Sequence, residues 1–151
     1  MGDSSAVAAF KLGIRLLQDG YPTEAHGRFQ QAVELENHNA YYLSFLGVSE
    51  SRGQKKWAAA ADHCETALKL KRDEAQFYLN LAEVYLSGGR REDAVAVLDR
   101  GLIYLADDAR LRRARARLGT RRSSVLPFLD REHVLNRSLG KLRHRVLARL
   151  R

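Results

Sequence analysis

The side chains that could ligate a metal or attack a substrate are few. Five histidines, His26, His38, His63, His133 and His144, and one thiol, Cys64, are the candidates. Zinc held on one helix needs His or Cys pairs at i, i+4, so that both side chains leave the same face. No such pair exists among the six. His63 and Cys64 are adjacent, and neighbours on a helix point to different sides. Gly88-Gly89-Arg90 is too short for the Gly-rich loops that cradle dinucleotides or nucleoside triphosphates. The sequence therefore assigns no catalytic residue, no metal ligand and no cofactor, and the expectation is a protein that is not an enzyme. A lone cysteine forms no intrachain disulfide and points to a reducing compartment, which we read as cytoplasmic.

The elements that position these residues follow from a period. Ala94-x-x-x-Leu98-x-x-Gly101 has two earlier counterparts, Ala25-x-x-x-Phe29-x-x-Ala32 and Ala60-x-x-x-Cys64-x-x-Ala67, with Ala positions 35 and 34 residues apart. Leu12-Gly13, Leu46-Gly47 and Leu81-Ala82 recur upstream in phase, and Leu35, Leu70 and Tyr104 downstream. A period in this range belongs to stacked helical hairpins. Small residues let two antiparallel helices approach closely, while the large residue between them fills the gap to the next hairpin. One hairpin cannot bury its apolar face alone, so several stack. Cys64 occupies one of the large-residue slots and reads as a buried small hydrophobe rather than a nucleophile.

These residues resemble the tetratricopeptide-repeat family over about residues 6–108. That family favours a large residue, Leu-Gly and Tyr in the first helix, then Ala, an aromatic and Ala in the second. This sequence departs at the leading position (Ala9, Leu43, Tyr78) and the Tyr position (Leu16, Glu50, Tyr85), and lacks the family's Pro near each repeat end. The resemblance implies an all-α, right-handed superhelical stack of three hairpins, at about 6–39, 40–74 and 75–108. A capping helix over 108–118 completes a repeat domain of residues 1–118, followed by a basic C-terminal extension, 119–151.

Charge divides the chain the same way. Residues 1–109 carry 12 Lys/Arg against 16 Asp/Glu, a balance of −4, and residues 110–151 carry 14 against 2, a balance of +12. The sum is the net +8. No apolar run of about 18 residues offers a membrane span. The stretch Ala6 to Leu17 is cut by Lys11 and Arg15 and suits an amphipathic helix better than a signal-peptide core.

In order, Asp3, Ser4 or Ser5 caps a helix running to about Gln18. Asp19-Gly20 ends it, and Pro22 suits the first turn of a helix to about Glu36. Asn37, His38 and Asn39 break the chain. The next hairpin starts near Ala40, turns at Ser51-Arg52-Gly53 with one extra residue, and continues as Trp57 to Leu70. Asp73 caps the third, which turns at Gly88-Gly89 and resumes from Arg91 to Leu105. Asp107 and Asp108 open the capping helix, with Leu111, Ala114 and Leu118 on one side, and Gly119 ends it. Thr120 to Ser124 read as a polar loop. Val125 to Leu129, around Pro127, read as extended. Asp130 caps a last helix, about 131–150, lined by Leu135, Leu139, Leu142, Val146 and Leu150.

The family resemblance implies a concave groove lined by the first helix of each hairpin. The inward positions are then Phe10, Ile14 and Leu17; Tyr41, Ser44, Phe45 and Val48; and Gln76, Leu79, Asn80 and Glu83. The family's Lys/Asn clamp for a terminal carboxylate is missing, because apolar residues fill its positions in the first two hairpins. The groove is expected to be apolar with a polar end at Asn80 and Glu83, and an exposed apolar strip marks a partner site. The function expected is a non-catalytic, chaperone-like scaffold or adaptor that holds a peptide or protein segment.

Arg112, Arg113, Arg115, Arg117, Arg121, Arg122, Arg137, Lys141, Arg145 and Arg149 form a basic surface that is either merely solvated or meets an acidic partner. An alternative function is attachment to nucleic acid or an anionic membrane through it. Phe128 is its only aromatic residue, which leaves base stacking little platform. A further expectation places Val125 to Leu129 in the groove of its own or a neighbouring molecule, giving a homo-oligomer.

Overall fold

Short polar side chains open several of the helices in the computed structural model, which describes residues 4–119. Ser4 Oγ accepts the Val7 N–H at 3.3 Å at the start of α1 (Ser5–Gln18). Pro22 begins α2 (Pro22–Leu35), where its missing N–H costs nothing. Asn39 Oδ1 takes the Tyr41 N–H at 3.1 Å and caps α3 (Ala40–Gln54). Then follow α4 (Trp57–Leu70), α5 (Ala75–Ser87), α6 (Arg91–Tyr104) and α7 (Ala109–Leu118). Asp108 Oδ1 accepts the N–H groups of Arg110 and Leu111 and so caps α7. Gly119 ends it at φ 65°, a backbone region that favours glycine. All the regular structure among the described residues is helical.

Two local expectations are corrected. The second hairpin does not turn at Ser51-Arg52-Gly53: α3 continues through Gln54, and the reversal falls at Lys55, a non-glycine residue at φ 55°, and Lys56. The extra residue of this repeat lengthens the helix, to 15 residues against 14 in α1 and 13 in α5. Helical hydrogen bonding continued for one more turn offsets the strain of a left-handed lysine. The cap of α5 is Glu74 rather than Asp73; its carboxylate accepts the Gln76 N–H at 3.2 Å.

The repeated small residues sit where the helices cross. Ala25, Ala60 and Ala94 are 0 % exposed, and Phe29, Cys64 and Leu98 between the small positions are buried with them. Each large side chain so buried contributes about 1.5–3 kcal/mol. A Cβ on Gly47 would lie 2.5 Å from the Ala60 carbonyl oxygen and 2.7 Å from Cys64 Sγ, so the α3–α4 crossing requires glycine there.

Helices pair as α1 with α2, α3 with α4 and α5 with α6. The first helices then pack on one another in series, α3 on α5 and α5 on α7, with α1 meeting α3 more sparsely. The backbones of α2, α4 and α6 do not approach one another. First helices held together and second helices splayed apart place the inside of the bend on the α1, α3, α5, α7 side. One core runs through the second and third hairpins to Leu111 of α7, and smaller clusters join α1 and α2 to α3.

Candidate partner-binding face

At the α1 end of the first-helix side, the sparse α1–α3 contact is filled by rings. Phe10 lies with its centroid 5.6 Å from Phe29, 4.9 Å from Tyr42 and 5.5 Å from Phe45, and Phe29 lies 5.9 Å from Phe45. Phe29 and Tyr42 are buried, while Phe10 and Phe45 stay half-buried. Ile14 and Leu17 of α1 are half-buried beside them, packed on the same cluster. Tilted and edge-on rings at these separations gain roughly 0.5–1.5 kcal/mol per pair beyond their burial.

In the middle of the face the structure turns three expected groove residues inward. Ser44, Val48 and Asn80 are buried. Asn80 Nδ2 donates to Ser44 Oγ at 2.9 Å, and Gln76 Nε2 donates to Asn80 Oδ1 at 2.8 Å, a polar ladder joining α3 to α5. Paired this way, the amide and hydroxyl avoid the cost of burial without partners. Asn80 thus ties the two helices together rather than presenting its amide. Leu79, Gln76 and Glu83 remain half-exposed, and Glu83 accepts from Arg52 Nε at 2.5 Å. That bond raises the Arg52 guanidinium above its ordinary value.

One edge of the face is polar. The Tyr41 hydroxyl donates to Glu74 Oε2 at 2.7 Å, and the Arg110 guanidinium lies 3.9 Å from Glu74 Oε1. The carboxylate acceptor raises the Tyr41 phenol above its ordinary value. Lys71 Nζ stands 5.3 Å over the Tyr41 ring. On α7, Arg112 donates to the Asp107 carbonyl at 3.0 Å and Arg115 to Asp99 Oδ1 at 2.6 Å. Arg113 Nε donates to the Ala109 carbonyl at 3.2 Å, and Arg117 is exposed. The expected basic residues Arg121, Arg122, Arg137, Lys141, Arg145 and Arg149, with the segment Val125 to Leu129, lie outside the described residues.

Buried polar groups stand at sites that sequence reasoning left unassigned. Glu50, at the position where the repeat pattern has tyrosine, is buried and accepts from His63 Nδ1 at 2.8 Å. His26 Nδ1 lies 3.5 Å from Ser49 Oγ, and burial depresses the His26 imidazole; Glu50 opposes this, and Lys56 and His63 add to the depression. A charged residue in an apolar register was the available signal. Cys64 is buried with its Sγ 3.4 Å from the Ser44 carbonyl, and burial pushes the thiol up, so it is no nucleophile. No group of three or more His, Cys, Asp or Glu among the described residues could hold a metal. On the opposite side, a cavity of about 260 Å³ opens between the splayed α4 and α6, where Arg100 bridges to Glu65 at 3.0 Å above Tyr78. No described helix is long and apolar enough to cross a membrane.

The family model that matches is described as tetratricopeptide repeat, over residues 51–118. No curated protein matches the chain. Among solved structures, the first TPR of Spaghetti (RPAP3) bound to the HSP90 peptide SRMEEVD is similar at TM-score 0.65 and 17% identity, covering 78% of this chain and 95% of that one. The type III secretion translocator chaperone SycD of Yersinia enterocolitica is similar at TM-score 0.65 and 19% identity, covering 78% and 88%. An O-GlcNAc transferase mutant of Thermobaculum terrenum is similar at TM-score 0.66 and 18% identity, covering 78% of this chain and 23% of that one. At these identities the likeness is one of fold.

Proposed function

We propose that this chain, which belongs to the tetratricopeptide-repeat family, is a non-catalytic adaptor that holds an extended segment of another protein across its first-helix face. The observation that carries this reading is the partial exposure of Phe10, Ile14, Leu17 and Phe45, packed on one cluster on the first-helix side, with half-exposed Leu79 on the separate core of α5. Four partly exposed apolar side chains within one ring cluster gain more from an apolar partner than from water. Support also comes from structures of similar fold, one bound to an HSP90 peptide and one named as a type III secretion translocator chaperone. A lone buried thiol suits a reducing compartment such as the cytoplasm.

The test is selection of a displayed random dodecapeptide library on the full chain and on an Ile14→Asp/Leu79→Asp variant with an unchanged melting curve. Enrichment of apolar peptides by the natural chain, with at least tenfold loss in the variant, is the expected result. Equal enrichment by both proteins would move the binding site elsewhere.

A further inference from the structure

The first-helix face changes chemistry along its length, and the change says what the partner carries. We infer that the held segment bears acidic residues next to its apolar ones, and that Arg110, Arg113 and Arg117 of α7 receive the acidic end. This rests on the reading that the first-helix face is the binding face.

Register places these arginines. A step of 34 residues carries Gln76, Leu79 and Glu83 of α5 onto Arg110, Arg113 and Arg117 of α7. The same step carries Phe77 onto Leu111, and both are fully buried. Ala114 and Leu118, reached from Asn80 and Val84, pack on the core as well. Helix α7 therefore sits on α5 as α5 sits on α3, and its arginines continue the face begun by Phe10 and Tyr41. Glu74 confirms the alignment from outside the helices: its two oxygens meet Tyr41 at 2.7 Å and Arg110 at 3.9 Å, residues at matching positions of α3 and α7.

Charge then sets the partner. Arg52 on this face is matched by Glu83, and Arg110 is engaged by Asp108 at 3.1 Å. Among the described residues no carboxylate pairs with Arg113 or Arg117, and both are exposed. A guanidinium presents paired N–H groups that fit a carboxylate two at a time. Arg113 and Arg117 are one helical turn apart, about 5–6 Å. Alternate residues of an extended chain project to one side at about 6.6 Å, so two acidic residues in an Asp/Glu-x-Asp/Glu pattern match the pair. Three steps from α1 to α7, at about 8–10 Å each, span a distance that roughly eight extended residues cover. A continuous phosphate backbone suits the face less, because Glu74 and Glu83 stand on it and its α1 end is hydrocarbon.

The experiment repeats the random dodecapeptide selection with the full chain and an Arg113→Glu/Arg117→Glu variant, and measures binding of a fluorescent oligothymidine to both. An Arg113→Gln/Arg117→Gln variant stands in if the reversal lowers the melting temperature. The natural chain should enrich apolar peptides carrying two or more acidic residues at alternate positions. The variant should keep the apolar preference and lose the acidic one at least tenfold. Apolar peptides without acidic residues, or an acidic preference that survives the reversal, would overturn the inference and leave the adaptor reading standing. Oligothymidine binding lost on reversal, without acidic enrichment, would assign the arginines to nucleic acid and overturn it too. No enrichment by either protein would remove the adaptor reading itself.

Discussion

Asn80 and Ser51 are both buried polar residues on first helices, and they should answer mutation in opposite ways. Asn80 donates to Ser44 and accepts from Gln76, so Asn80→Ala strands a buried hydroxyl and opens a small void. The expected loss is about 1–3 kcal/mol in urea unfolding. The Ser51 hydroxyl is buried with no hydrogen-bond partner among the described residues. Removing it in Ser51→Ala relieves an uncompensated desolvation, and the expected change is neutral or stabilising by up to about 1 kcal/mol. Equal destabilisation by the two would contradict the hydrogen-bond assignment. Neither role was legible beforehand. Repeat register puts Asn80 among the first-helix residues of the expected groove, but whether an amide there reaches solvent depends on how closely α3 and α5 approach, which register does not encode.

Crossing geometry governs the elements. Gly47→Ala pushes a methyl into the Ala60 carbonyl and Cys64, and rigid backbone cannot yield as a flexible side chain would. Overpacking of this kind costs about 1–3 kcal/mol despite the better helix propensity of alanine. A lowered midpoint in thermal melting checks it, and an unchanged one would mean the crossing is looser than described. The contact of α2 with α3 adds a pH dependence. Burial holds His26 below the ordinary 6.5, facing Glu50, Lys56 and His63. A depressed imidazole means the unfolded chain binds the proton first, so this stability is present above about pH 6.5 and is lost as pH falls below it. The urea midpoint should drop from pH 7.5 to pH 5.5, and the drop should shrink in His26→Gln. An identical drop in both would assign it to other groups. The helices themselves were readable from the Ala-x-x-x-large-x-x-small pattern because it records the crossings directly. The α3–α4 turn was not. Ser51-Arg52-Gly53 has turn-forming composition, yet the packing of α3 carries the helix on to Gln54.

At the largest scale described, residues 4–119, the first helices pack in series while the second helices splay, and that asymmetry gives the repeat unit an inside and an outside. The inside runs from rings at α1 to arginines at α7. The outside carries Ile103, 79 % exposed on α6 and the barest large hydrophobic residue among those described. Stickiness alone would favour Ile103; a shaped binding face favours Leu79. Site-specific photocrosslinking in the native cell separates them most directly, with a benzophenone amino acid placed at Leu79 in one protein and at Ile103 in another. Discrete protein adducts from Leu79 and few or none from Ile103 are the predicted result; adducts from Ile103 alone, or equally from both, would contradict it.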